Sequence, residues 1–291
     1  MSSRRSSRRS TPERRRAGFS MVELLVTVLI SGITLASVTQ FFAIQSRKQK
    51  GMSYRLEAQQ ALRASLDAIT RDLRLAGACL PTGGQFPSVT GTDNVAGDSI
   101  TIRTGQVRNN LSCIVGTVGT AAAVGATTIN LASVGAGVNP TNGITPGMLV
   151  HLDPPGLAGE ELFVQSVTAT DITFTGATTV AYPVGAGVYP IDERVYQLDK
   201  TDPVNPLLTL TIDRGTPQAF AVGVQDLQIQ YLLQRNCPTC DLVDLPADVP
   251  SWWLVNEVYL TLTVKTVGSV RPEDSTTLVA TSHAKPRNLL P

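Results

Sequence analysis

The feature that most limits what this chain can be is one carboxylate in an otherwise uncharged apolar run. From Phe19 to Ile44 the sequence reads FSMVELLVTVLISGITLASVTQFFAI, and Glu23 is its only charged residue. As a helix rising about 1.5 Å per residue, the run outreaches a hydrocarbon layer of about 30 Å. An acid at the centre of such a segment costs on the order of 2.5–3.5 kcal/mol, less toward the end, and as a rule it has a partner. Glu23 therefore calls for a cation that the run does not contain.

The flanks set an orientation. Arg4, Arg5, Arg8, Arg9, Arg14, Arg15 and Arg16 precede the run against a single acid, Glu13, while Arg47, Lys48 and Lys50 follow it. The heavier basic flank stays on the cytoplasmic side, so residues after Ile44 are expected to be exported. A cleaved secretory signal would need an apolar region of about 7–15 residues, and this run is longer. A twin-arginine signal at Arg15 and Arg16 is a weaker alternative.

Gly18 followed by Phe19, with Glu23 as the fifth residue after that glycine, opens the apolar helix behind a basic leader. This pattern resembles the class III signal of type IV prepilins. The resemblance implies that a prepilin peptidase removes residues 1–18 by cutting between Gly18 and Phe19. It further implies that Phe19 becomes N-methylated and that Glu23 faces the amino terminus of a neighbouring subunit, which would supply the missing cation. It also implies an α+β pilin-like fold, a long N-terminal hydrophobic helix packed on an antiparallel β-sheet domain. On that reading 19–44 is the transmembrane and filament-core helix, 45–77 its amphipathic continuation, and 78–291 a periplasmic β-rich head. Gly32 stands where many pilins soften the helix, and Gln40 where major pilins often carry proline.

Removing the seven arginines and one acid of the leader from 24 basic and 23 acidic residues leaves 17 against 22. The mature chain is thus mildly acidic, and no basic surface for nucleic acid is expected. Behind the apolar run, Leu62, Leu66, Ile69 and Leu73 recur at helical spacing with charges between them, and Gly77 follows as a stop. One helix from Ser20 to about Ala76 is expected, with an interruption at Gly51 as an option. After Gly77 come nine short strand patterns, DSITIRT, ATTINLA, GMLVHL, EELFVQSV, DITFTG, RVYQLD, LLTLTID, VQDLQIQYLL and VYLTLTVKT, separated by Gly, Pro, Asn and Asp.

Residues 65–79, 221–233, 252–266 and 282–291 resemble PilW-type minor pilins, a group related to the J-type pseudopilins of type II secretion. The function this implies is a non-enzymatic minor pilin that primes type IV pilus assembly and sits in a tip complex, with roles in motility and adhesion. Its implied partners are other minor pilins, the major pilin, the prepilin peptidase, the inner-membrane assembly machinery and a tip adhesin. Its implied place is the inner membrane, single-pass with a periplasmic C-terminal domain, and then the pilus tip or base. A type II secretion minor pseudopilin is the alternative.

GATTINLASVGAGVNP (125–140) and GATTVAYPVGAGVYP (176–190) resemble one another and enclose three of the strand patterns. An inserted small β-module at 117–191 is one reading; two similar hairpin edges without a core of their own is the other. Neither GAG forms a nucleotide fingerprint.

Cys79, Cys113, Cys237 and Cys240 all follow the apolar run, and an even count in an oxidising compartment favours two disulfides among three pairings. Cys79 with Cys113 and Cys237 with Cys240 is the expected pairing. The second pair forms CPTC, which in another class of protein, a membrane-anchored thiol oxidoreductase, would be the catalytic site. The prolines of the following DLVDLPADVP discourage the helix such a site needs. No zinc or calcium spacing is recognisable, and no cofactor is expected. His151 and His283 stand apart in the sequence as structural or solvent-facing residues. Asp192 with Glu193, Asp199 with Asp202, and Asp241 with Asp244 read as surface charge. Trp252 and Trp253 read as one buried and one exposed ring.

Overall fold

The computed structural model describes residues 18, 20–81, 86–94, 97–107, 113, 115–132, 141, 143–233, 242–247, 252, 254–266 and 276–286. Two compact units, Met1–Met52 and Ser53–Pro291, divide the chain. A single helix, α1, is formed by Met21–Leu75. No break occurs at Gly51, whose neighbours are good helix formers and which has open space around its Cα. The interruption allowed for there does not exist. In the first unit, α1 buries none of its side chains.

In the second unit α1 does the opposite. Ala58, Leu62, Leu66, Ile69 and Leu73 form a buried stripe, the i, i+3, i+4 spacing that turns one helix face to a core. The helix stops where Gly77 takes φ 77°, a conformation that costs a glycine little. Its amide donates to the Arg103 carbonyl at 2.9 Å. The chain then passes so close to Gly105 that a side chain there would meet the Cys79 backbone.

The strands follow in order: β1 Val89–Thr92, β2 Ser99–Gly105, β3 Gly116–Thr117, β4 Thr128–Asn130, β5 Leu149–Asp153, β6 Glu160–Val167 and β7 Asp171–Phe174. Then come β8 Gly187–Asp199, β9 Leu207–Ile212, β10 Gln218–Val222, β11 Val224–Leu233, β12 Leu242–Val243, β13 Val255–Lys265 and β14 Thr277–Ala284. Each of the nine strand patterns of the sequence lies on one of these. They build a ten-stranded sheet, with the path β1-β2-β8-β5-β6-β7-β4 and side branches at β3, β9 and β10, and a four-stranded sheet, β12-β11-β13-β14. All pairings are antiparallel. Both sheets contribute to the core under α1, through Ile100, Tyr196 and Leu208 from one and Leu227, Ile229, Leu260 and Leu262 from the other.

A second core lies apart from the first. Val118, Ile129, Leu131, Ile144, Val150, Leu152, Val164, Ile172, Phe174, Tyr182, Ala186 and Val188 form it, all within 117–191. Its sheet is not separate, because β8 serves both regions. Residues 187–191 of β8 pair with β5, whereas 191–197 pair with β2 and 194–199 with β9. The ends of the segment meet, with Thr117 opposite Gly187 in register.

Within this region the similarity of two sequence stretches has a structural counterpart, in a different register from GATT aligned on GATT. Val118 and Gly185 exchange hydrogen bonds with Ala186 and Val118 just as Thr178 and Gly125 do with Ala126 and Thr178, and Ala122 and Tyr182 bond each other reciprocally. Ala123–Ala126 and Pro183–Ala186 are matching β-turns, each closed by a hydrogen bond, with Gly125 and Gly185 at φ 88° and 87°. The AVGA of one arm thus matches the PVGA of the other across a local two-fold. Residues 133–140 of the first sequence stretch lie outside the described residues.

Candidate functional site

The site the sequence singles out is the start of α1. Gly18 and Ser20 precede the helix, Glu23 lies in its first turn, and Phe19 lies outside the described residues. The Leu24 amide donates to the Ser20 carbonyl at 3.1 Å, opening the helical ladder. Ser20 and Glu23 also have the S-x-x-E spacing of a capping box, a signal the sequence reading passed over. Its reciprocal side-chain bonds are absent among the described residues. The Glu23 carboxylate is left without a described partner.

The hydroxyls from Thr27 to Thr39 are satisfied locally. Thr27 donates to Leu24 O at 2.9 Å, Ser31 to Thr27 O at 2.6 Å, Thr34 to Ile30 O at 3.0 Å, Ser37 to Ile33 O at 2.9 Å and Thr39 to Ala36 O at 2.9 Å. Hydroxyls folded back on their own helix leave a surface that can enter lipid or an apolar bundle without stranded donors. The Glu23 carboxylate and the Gln40 amide have no such bond among the described residues, and of the two only Glu23 carries charge. Among the described residues α1 is the one helix long and apolar enough to cross a membrane, with a mean hydropathy of 2.1 over its most apolar window.

The head holds the second half of α1 by buried charge. Asp72, almost fully buried, accepts from Arg194 Nη1 on both oxygens, at 3.1 and 2.9 Å, and from Tyr196 Oη at 2.7 Å. On the same element Thr70 Oγ1 lies 3.0 Å from Ser282 Oγ. Arg194 is fixed in turn by Asp192, so the Asp192–Glu193 pair is not plain surface charge.

A second network closes a ring between the 117–191 segment and the sheet beside it. Arg103 Nε donates to Glu193 Oε2 at 2.7 Å, and Arg214 bridges Glu193 Oε1 at 3.1 Å and Glu161 Oε2 at 3.2 Å. His151 Nδ1 sits 3.4 Å from Glu161 Oε1, within ion-pair reach but too poorly aligned for a hydrogen bond. Phe86 stacks on His151 at 4.0 Å and lies 5.2 Å under the Arg103 guanidinium, completing the circuit. Burial pushes the Glu161 carboxyl upward, yet the His151 contact, the charges of His151 and Arg103 and the Arg214 hydrogen bond outweigh it and hold it at about 2. His151 is therefore neither isolated nor solvent-facing, and Glu193 is buried. Residues so far apart in sequence leave no local pattern to read.

Cys79 and Cys113 form a disulfide that ties the end of α1 to the chain before β3. Cys237, Cys240, Trp253 and Asp241 lie outside the described residues. Trp252 is half-buried and packs edge-on against Tyr231 at 4.9 Å. His283 lies on β14, stacked on Tyr259 at 5.5 Å. Asp199 and Asp202 accept from the amides and side chains of their own turn. No cluster of metal-ligating side chains occurs among the described residues.

Residues 14–39 match the family model for the prokaryotic N-terminal methylation motif. No curated protein matches the chain. Among solved structures the chain is similar to the type IV-like pilin TTHA1219 from Thermus thermophilus, at 9% identity over 80% of this chain and 98% of that one, with a TM-score of 0.34. A likeness that loose adds nothing to the fold described above. The motif, by contrast, covers the stretch from Arg14 through Glu23 and the first turns of α1, and together with the apolar helix it is consistent with membrane anchoring.

Proposed function

We propose that the chain is a pilin-type filament subunit, a minor pilin of the PilW type, processed between Gly18 and Phe19 and anchored by α1 before assembly. The observation that carries this is Glu23: an acid at the fifth position after Gly18, within a matched methylation motif, on a helix whose hydroxyls are satisfied while the carboxylate is not. The Phe19 ammonium of a neighbouring subunit is the cation of suitable charge and depth. Partners in this role are other minor pilins and the major pilin, with the head at the filament tip. The 117–191 segment, with a core of its own and ends that meet at Thr117 and Gly187, is an inserted module serving recognition.

Intact-mass analysis of the membrane-extracted protein tests the processing: the mature chain begins at methylated Phe19. A mature chain beginning near Ser37, or an unprocessed one in cells with active prepilin peptidase, rules the reading out. Glu23→Val keeps insertion and cleavage but loses crosslinking to neighbouring subunits, because leaving one member of a buried ion pair alone costs about 3–5 kcal/mol. Normal crosslinking with valine there removes the pairing role.

A further inference from the structure

Natural sheets guard their edges, and the two edges of the four-stranded sheet here are guarded very differently. The β12 edge is two residues long and is followed by Pro246. The β14 edge runs over eight residues, TLVATSHA, in unbroken register with β13 from Thr277 to Ala284. It has no proline, lysine or bulge, the usual devices against strand addition. Among the described residues no strand pairs with its outer side. Thr277, Val279 and Thr281 face outward, β-branched residues suited to a cross-strand neighbour, and Val279 is 61% exposed.

Among the described residues the charge around this edge is mostly basic, Glu273 and Asp274 before β14 lying outside them. An open groove of about 550 Å³ at its C-terminal end is lined by Arg71, Arg74 and Lys285 together with Glu257 and His283. Glu257 is the single carboxylate there among the described residues, and it is already engaged, accepting from Tyr259 Oη at 3.3 Å with His283 Nε2 at 3.6 Å. At the other end Arg55 Nε donates to Thr276 Oγ1 at 2.9 Å and Lys265 stands exposed opposite Thr277. A basic border is unusual on a unit, residues 53–291, that carries 21 acids against 14 bases. Arg71 and Arg74 also complement the carboxyl end of α1, but Lys285 and Lys265 have no such role.

We infer that the outer edge of β14 receives an extended, acidic segment of a partner protein, which adds as a fifth strand and places its carboxylates against Arg71, Arg74 and Lys285. Main-chain bonds to the edge give affinity, and the bordering cations select acidic over basic segments. The inference concerns the head alone and stands independently of processing at Gly18.

The test uses the detergent-solubilised full chain and a fluorescent peptide of alternating Glu and Val, with three controls: a Lys/Val peptide, the Glu/Val peptide N-methylated at alternate amides, and inorganic phosphate as competitor. Expected are binding of the Glu/Val peptide that weakens with salt, and at least a tenfold loss both on N-methylation and in Arg74→Glu/Lys285→Glu. Arg74→Gln/Lys285→Gln, with thermal melts to verify folding, replaces the reversal variant if that one unfolds. Equal binding of the Lys/Val peptide, indifference to the substitutions, or full binding of the N-methylated peptide overturns the proposal, as does displacement by phosphate at peptide-like concentrations. Concentration-dependent self-association abolished by the same substitutions assigns the edge to a second copy and overturns the partner assignment.

Discussion

The two halves of α1 are the same helix built for different neighbours. From Met21 to Met52 every described side chain is exposed, and the hydroxyls bond to carbonyls one turn back. From Ser53 on, polar groups reach other elements instead: Thr70 meets Ser282, and Asp72 meets Arg194 and Tyr196. The same contrast divides the acids. Asp72 finds its cation inside the chain, whereas Glu23 has none among the described residues. A helix whose hydroxyls from Thr27 to Thr39 fold back on its own carbonyls is prepared for an apolar environment, and the Glu23 carboxylate states what charge must be met there.

The sharpest way to break this comparison is to remove the acid that does have an internal partner. Asp72→Ala leaves Arg194 facing a buried void and Tyr196 Oη without its acceptor, and the head should lose about 3–5 kcal/mol. Chemical denaturation of the detergent-solubilised chain, followed by tryptophan fluorescence, reads the loss. If Asp72→Ala proves neutral, the polar fastening of the second half is decorative and the contrast with Glu23 falls.

A slightly smaller effect is expected from paired truncations of the stripe. Leu73→Ala opens a cavity at a side chain of 0% exposure and should cost about 2–5 kcal/mol. Leu29→Ala, at a residue 63% exposed, should leave the stability of the head unchanged and be felt only in membrane retention or assembly. Equal losses for both would mean that the first half is also packed by the chain itself. Next comes the Cys79–Cys113 disulfide, which bridges a sequence separation of 34 just after α1. Replacing both cysteines by serine should cost about 2–4 kcal/mol, read from the same denaturation curves against non-reducing peptide mapping.

The local features were the readable ones. The 58–73 stripe declares itself by spacing, and the nine strand patterns by alternation and turn residues, because each depends on near neighbours in sequence. The short strands β1, β3, β10, β12 and β14 were not singled out as strands, since two to eight residues without a strong apolar period give little signal. The sharing of β8 between two cores was also hidden: its 13 residues look like one strand, and only the pairing shows that its ends serve different parts of one sheet. At the site, Gly18 and Glu23 could be read because the motif is local. The ring of Phe86, Arg103, His151, Glu161, Glu193 and Arg214 could not, since its members meet only after β2, β5, β6 and β8 have come together in the larger sheet.

Carboxyls in the head sharpen the comparison further, because two of them respond to acid in opposite senses. Glu161 is held at about 2 against an ordinary 4.5, so it contributes stability above pH 4.5 that is lost as the pH falls toward 2. Asp98 is pushed above its ordinary 3.8, first by burial and then by the charges of Asp93 and Asp226, although the Ile229 amide donates to it at 2.8 Å. For Asp98 the sign reverses: its ionisation opposes folding once the pH rises past 3.8, and that opposition vanishes in acid. Glu161→Gln should therefore flatten the decline of stability between pH 4.5 and 2, while Asp98→Asn removes the ionisation but keeps one acceptor oxygen for the Ile229 amide and turns its NH2 toward the longer-held Asn94 amide, so it should cost less than removing the side chain. Asp98→Ala leaves the Ile229 amide buried and unpaired and should cost about 1–3 kcal/mol at every pH. Urea midpoints of the three variants across that pH range decide the matter. If Asp98→Asn destabilises as much as Asp98→Ala, both carboxylate oxygens are needed to hold the loop before β2 to β11, and this buried carboxylate, like Glu23 as proposed for the filament, is one that an amide cannot replace.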